Sequence, residues 1–210
     1  MTDTLHRILP QVQKPARYVG GEYNQIVKDK RDVDVRVAFC FPDTYEIGMS
    51  NIGMRILYGL MNELPGVWCE RVFAPWGDME EKMREHAIPL YALESHDPVR
   101  AFDLIAFTIG YEMSYTNILN MLDLSGVPLL ARERKELENI VFAGGVCAVN
   151  PEPLADFIDF FSFGEGEEIT KEILACYRQA KKDGCSKEEF LLCVSRIDGV
   201  YVPSFYEHSY

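Results

Sequence analysis

From residue 35 onward, apolar and polar positions fall into blocks of two kinds. The first kind is a short, nearly unbroken apolar run: "VRVAFCF" (35–41), "CERVFA" (69–74), "FDLIAFTI" (102–109), "NIVFAGG" (139–145) and "FIDFFSFG" (157–164). Such runs have strand length, and apolarity on both alternating positions marks strands covered on both faces. The second kind repeats with a helical period. Residues 50–64 put Ile52, Ile56, Leu57, Leu60, Met61 and Leu64 on one face, behind a cap at Ser50 or Asn51. Residues 78–86 open with acid in the first turn, and 115–125 carry Ile118, Leu119 and Leu122 on one stripe. Residues 166–183 hold Glu167 and Glu168 at the start, Lys181 and Lys182 at the end, and Gly184 as a stop, a charge order that suits the helix dipole.

Strand–helix alternation with doubly covered strands predicts an α/β fold of the flavodoxin-like (Rossmann-like), doubly wound type, with a parallel five-stranded sheet at 35–184. An arm at 1–34, with turn chemistry at Gly20-Gly21 inside "PARYVGGEYN", is expected to wrap that domain. An extension at 185–210 reads as a helix at 186–197 followed by a strand in "GVYVPSFYEHSY". "PLYALES" (89–95) reads as an edge strand or an extended connection.

Composition narrows the function classes. With 210 residues, 48% of them hydrophobic, the chain can bury one sizeable core. Its net charge of −12 would repel a phosphate backbone, so direct nucleic-acid binding is not expected. The opening "MTDTLHRILP" lacks the apolar core of a signal peptide, and no stretch approaches the roughly 20 apolar residues of a membrane span, so a cytoplasmic location with no membrane partner is expected. Cys40, Cys69, Cys147, Cys176, Cys185 and Cys193 are too widely spaced for close-set metal-ligand pairs and read as reduced, mostly buried thiols.

In doubly wound sheets, ligands sit beyond the carboxyl ends of the strands, where strand order reverses. Four such ends carry polar or glycine-rich stretches: "PDTYEIGMSN", "TIGYEMSYTN", "AGGVCAVNPEP" and "GEGEE". Singly, each has an ordinary explanation. Gly144-Gly145 can be a bend, Ser114 and Asn117 helix-start chemistry, Asp43 a turn cap, and Glu165, Glu167 and Glu168 dipole partners. Together they predict a ligand crevice. The dinucleotide fingerprint and the P-loop are absent, and the glutamates at the last helix repel phosphate. Small residues at neighbouring strand ends, Thr108 and Gly110 beside Gly144 and Gly145, leave room for a large, mostly uncharged ligand rich in amides.

These stretches are also familiar. Asp43-Thr44-Tyr45-Glu46-Ile47-Gly48 is similar to the D-x-H-x-x-G of cobalamin-binding domains, with Tyr45 in the histidine's place. The strings "PARYVGGEYN", "FPDTYEIGMSN", "ERVFAPWGDME", "YEMSYTNILNMLDLSG" and "NPEPLADFIDFFSFGEGEE" resemble the amino-terminal cobalamin-binding-type domain of an uncharacterised branch of radical S-adenosylmethionine (SAM) proteins, over nearly the whole chain. The resemblance implies cobalamin (vitamin B12) held by Asp43, Tyr45, Gly48, Ser50, Thr108, Gly110, Tyr111, Glu112, Ser114, Gly144, Gly145, Ala148, Gly164, Glu165 and Gly166. A phenol with pKa near ~10 is a poor cobalt ligand, so Tyr45 is expected to serve as a steric floor or hydrogen-bond donor, with no protein histidine below the metal. His6, His86, His96 and His208 are not placed to substitute. The alternative is a domain that has lost cobalamin and serves as a structural docking module. The cluster motif C-x-x-x-C-x-x-C is absent. The resemblance therefore assigns S-adenosylmethionine and the [4Fe–4S] cluster to a carboxyl-terminal radical SAM domain, the implied partner, and this chain alone is expected to be inactive.

Overall fold

The computed structural model describes residues 2–206. Among these residues, six strands form one sheet: β1 (Val35–Phe41), β2 (Val67–Phe73), β3 (Leu104–Thr108), β4 (Ile140–Gly144), β5 (Phe160–Ser162) and β6 (Val200–Tyr201), in the order β2-β1-β3-β4-β5-β6. The first five are parallel, and β6 adds antiparallel to β5 through Phe161–Tyr201 and Ser162–Val200. The expected flavodoxin-like α/β architecture is therefore observed, with a sixth, two-residue strand at one edge. The sequence expectation of a strand across 199–210 shortens to β6 and a turn of 3-10 helix at Pro203–Phe205, and residues 207–210 lie outside the described residues.

Among the described residues, seven α-helices cover the sheet: α1 (Thr2–Ile8), α2 (Tyr45–Ser50), α3 (Ile52–Glu63), α4 (Gly77–Glu85), α5 (Tyr115–Ser125), α6 (Gly166–Asp183) and α7 (Lys187–Val194). The strands alternate their side chains between two cores, as the pleat requires. One core packs Cys40, Val72, Ile105 and Val141 against α1, α4 and α5. The other packs Val37, Leu104, Ile140 and Phe160 against α3, α6 and α7. The first half of the arm belongs to the first core, into which it sends Leu5, Ile8, Val12 and Tyr18, and Ile26 further along packs against the second. Residues 185–201 are likewise part of the fold: Phe190 of α7 meets Tyr177 of α6 edge-on at 5.3 Å. Asp159 is 99% buried between Arg134 (3.0 Å) and Lys187 (2.6 Å), which fixes the start of α7 below the sheet.

β2 is an edge strand with a charged pair inside it, Glu70 and Arg71, both buried. Burial of charge demands partners. Glu70 pairs with Arg36 of β1. The Glu94 carboxylate takes both the Arg71 backbone N–H (2.7 Å) and its Nε (2.7 Å). The segment 89–95 is thus an extended connection that covers the edge of β2. It makes one isolated bridge, Tyr91 to Pro98, and Leu93 N–H donates to the Arg71 carbonyl at 2.9 Å.

Two features of the α2–α3 region depart from the periodicity reading. First, the stretch after β1 forms α2, and Asn51 then caps α3 by accepting from Met54 N–H at 2.9 Å. Gly48 makes this possible, because a Cβ there would strike the Phe73 ring. Second, α3 buries Met54, Tyr58 and Met61, whereas Ile52 and Ile56 are 69% and 47% exposed. The apolar positions of α3 occupy two faces, and only one of them meets the sheet.

These contacts set opposite expectations for two glycines. Gly48→Ala overpacks the α2–β2 contact and is expected to cost about 1–3 kcal/mol. Gly59→Ala, in the interior of α3 with nothing within 4 Å of the added Cβ, is expected to stabilise the chain by about 0.5–1 kcal/mol. Urea denaturation of the 210-residue chain checks both.

Candidate ligand crevice

Strand order reverses between β1 and β3, and the loops leaving β1, β3, β4 and β5 all emerge at that end of the sheet. The β3 and β4 ends are tied together. Ile109 N–H donates to the Gly144 carbonyl (2.7 Å), and Cys147 N–H returns to the Ile109 carbonyl (3.1 Å). This approach requires glycine at 145. Its φ is +100°, and a Cβ would lie 2.7 Å from the Ile109 carbonyl oxygen. The β1 loop is tied to the β3 loop in turn. Tyr111 donates its hydroxyl to Asp43 Oδ2 (3.1 Å), and Asn117 donates its amide to the Pro42 carbonyl (2.9 Å). The Asp43 charge pushes the Tyr111 phenol above its ordinary pKa.

Beside these ties opens a cavity of about 350 Å³, within the range of about 300–1,000 Å³ usual for ligand sites. Its mouth is formed by Thr108, Gly110, Gly144, Gly145, Gly164 and Gly166. It runs inward over Phe39, Ala106 and Phe142 of the sheet, between Leu57 and Met61 of α3 and Thr170 of α6. The walls are mainly apolar. Polar groups at the rim are Asn51, Ser162 and Glu167. The exposed Tyr111, Met113, Val146 and Val149 lie on the loops around this end of the sheet.

Six of the residues singled out in the sequence therefore meet in one place: Thr108, Gly110, Gly144, Gly145, Gly164 and Gly166. The others do not line the cavity. Asp43 and Tyr111 form the clasp between loops. Ser114 is buried and donates to the Tyr111 carbonyl at 2.7 Å, and Ala148 is buried behind the β4 loop. Glu112 lies beside the Cys147 thiol, whose pKa is pushed up by burial first and by that carboxylate second. Glu165 is exposed just before α6, and the Ser50 hydroxyl closes the end of α2 on the Ile47 carbonyl (2.8 Å). Tyr45 and Gly48 face β2. The Tyr45 ring stands edge-on to Phe73 at 5.5 Å, in a small hollow with Arg17 and Tyr18. Burial, then the Glu22 carboxylate nearby, push its phenol pKa up.

The helix-borne wall, Leu57, Met61 and Thr170, was missed by the sequence reading; the 3.6-residue period marks such residues only as core. Among the described residues, no group of three or more His, Cys, Asp or Glu could hold a metal ion. His6, His86 and His96 do not line the crevice, and His208 lies outside the described residues. No helix among the described residues is long and apolar enough to cross a membrane.

Fold and crevice together define a doubly wound α/β domain with a ligand-sized slot at its switch point. The family described as "Radical SAM proteins, N-terminal" matches residues 53–203, and the chain belongs to that family. It is also similar to an uncharacterised protein of Methanocaldococcus jannaschii, 29% identical over 143 residues, which cover 66% of this chain and 26% of the relative. The chain thus spans about a quarter of the length of that curated relative.

The mouth separates packing from space. Gly145→Ala is expected to destabilise the chain by about 1–3 kcal/mol through backbone strain and contact with Ile109. Gly110→Ala, with nothing within 4 Å of the added Cβ, is expected to stay within about 0.5 kcal/mol of the parent. Paired denaturation curves test the contrast.

Proposed function

We propose that this domain serves a radical SAM enzyme by holding a corrinoid cofactor at the carboxyl end of its sheet. The nucleotide tail of the corrinoid would enter the crevice between α3 and α6. The observation that carries the reading is the shape of the slot. It holds about 350 Å³, its lining is more apolar than polar, and strand-end residues without bulk at Gly110, Gly144 and Gly164 border it. An aromatic base with a flexible linker fits those walls. The residues that would hold it are Ala106, Phe142, Leu57 and Thr170 along the tail, with backbone N–H and C=O groups of the glycine loops near the amide-rich macrocycle.

When bound, a corrinoid supplies a cobalt centre able to carry a methyl group or change oxidation state. This chain's own residues bind and orient. The Asp43–Tyr111 clasp fixes the two loops flanking the switch point, and α3 and α6 supply side walls of the slot. Tyr45 packs against Phe73 and does not line the crevice, so no side chain of the D-x-H-x-x-G type reaches toward it. The cobalt would then lack a protein ligand from this loop. S-adenosylmethionine and the iron–sulfur cluster would belong to the radical SAM domain that partners this one, and the present chain would be inactive alone. The turned-away Tyr45 also favours a second reading, a domain of the same fold that holds no corrinoid and braces the catalytic domain.

Visible spectra after desalting separate the two. Hydroxocobalamin is expected to stay with the chain, whereas cobinamide, which lacks the nucleotide tail, is expected to bind at least about tenfold more weakly, or ~1.4 kcal/mol. Thr170→Phe, which fills the slot from α6, is expected to abolish cobalamin retention while the circular dichroism spectrum is unchanged. Retention of neither corrinoid would favour the bracing role, and equal retention of both would overturn the seating of the nucleotide tail in the crevice.

A further inference from the structure

The exposed face of α3 borders a second hollow. Ile52, Ile56 and Gly59 stand at i, i+4 and i+7 along a groove of about 710 Å³. Its other wall is the arm, from Glu22 to Ile26. This groove is distinct from the crevice, because α3 stands between them. The helix turns Gly53 and Leu57 to the crevice, and Ile52, Ile56 and Gly59 to the groove.

Gly59 is the first sign that something fills it. A glycine inside a helix loses stability relative to alanine, so it calls for a reason. Packing within this domain supplies none, since nothing lies within 4 Å of where its Cβ would be. A missing Cβ on an open helix face admits a second backbone at close range.

The groove floor is the second sign. Arg71 donates Nε to Glu94 (2.7 Å) and Nη2 to Glu22 Oε2 (3.0 Å). Among the described residues, its Nη1 hydrogen-bonds to the Met49 sulfur alone (3.2 Å), a weak acceptor, while the guanidinium lies over the Tyr58 ring at 4.6 Å. Among the described residues, Glu22 Oε1 is buried without a hydrogen-bond partner, although the Tyr45 phenol lies close enough for this carboxylate to push its pKa up, after burial. A donor seeking oxygen beside an oxygen seeking a donor is the complement of an amide.

We infer that this groove docks a polypeptide segment that lays an apolar ridge on Ile52, Ile56 and Gly59 and sets one amide on Arg71 and Glu22. The occupant is the remainder of the radical SAM polypeptide. The family forms the N-terminal part of such proteins, and the archaeal relative extends far beyond the quarter of its length that matches. The docking does not depend on a corrinoid in the crevice.

The test uses the full-length radical SAM protein that carries this domain, with the photo-crosslinker benzoylphenylalanine at position 56. Peptide mapping is expected to find an intramolecular crosslink, independent of protein concentration, to an apolar segment beyond residue 210. A crosslink to a second copy, or none beyond 210, overturns the inference. Hydrogen exchange gives an independent reading. Amides at 22–27 and 52–59 are expected to exchange about tenfold more slowly in the full-length protein than in the 210-residue chain, and Gly59→Leu is expected to erase that difference. Equal exchange in the two unmutated proteins, or slowing that persists in Gly59→Leu, overturns it. Cobalamin retention by Gly59→Leu reports on the crevice separately, so failure of either reading can be told from failure of the other.

Discussion

The architecture at the ligand end rests on one close approach, where the β3 and β4 loops exchange backbone hydrogen bonds through Ile109, Gly144 and Cys147. That exchange exists because residue 145 has no Cβ and takes a φ no ordinary side chain favours. It satisfies backbone groups that would otherwise need water at the end of a buried strand. With the two loops fixed to each other, the β3 and β4 ends cannot collapse into the space between α3 and α6. The clasp from Asp43 to Tyr111 extends the same constraint across the switch point to β1. The slot is therefore held by main-chain geometry, and its walls are left mainly to apolar side chains.

α3 then acts as a partition. Its buried residues Met54, Tyr58 and Met61 meet the sheet, one flank meets the crevice, and the opposite flank meets the arm groove. A helix that presents apolar residues to the sheet and to a hollow on each flank cannot show a single apolar stripe. That explains why apolar residues appear around most of its circumference, and why a glycine is tolerated in its middle.

The strands were legible because burial on both faces removes polar residues from them. The run 35–41 coincides with β1 for that reason. β2 starts at Val67, two residues before the sequence reading, because Val67 and Trp68 pair with Val35 and Arg36. Nothing local announces that pairing. The partners of Glu70 and Arg71 were equally hidden, lying on β1, on the 89–95 connection and on the arm. The helix α2 escaped notice because six residues cannot hold a helix by propensity; it forms where Gly48 lets it settle on Phe73. The direction of Tyr45 follows from that turn, so spacing in the sequence could not give it. The strand-end glycines singled out in the sequence line the cavity. The wall made by Leu57, Met61 and Thr170 depends on how α3 and α6 are set against the sheet, which periodicity does not encode.

The sealed flanks of the sheet restrict how this domain can assemble. On one side Glu94 and Leu93 occupy the main-chain groups of Arg71 that a new strand would need. On the other, β6 is two residues long and is soon followed by Pro203, which has no N–H to offer. Association by sheet continuation is blocked at both margins. Among the described residues, the surfaces left for contact are therefore the helical faces and the loop end, where side chains rather than strand edges are on offer.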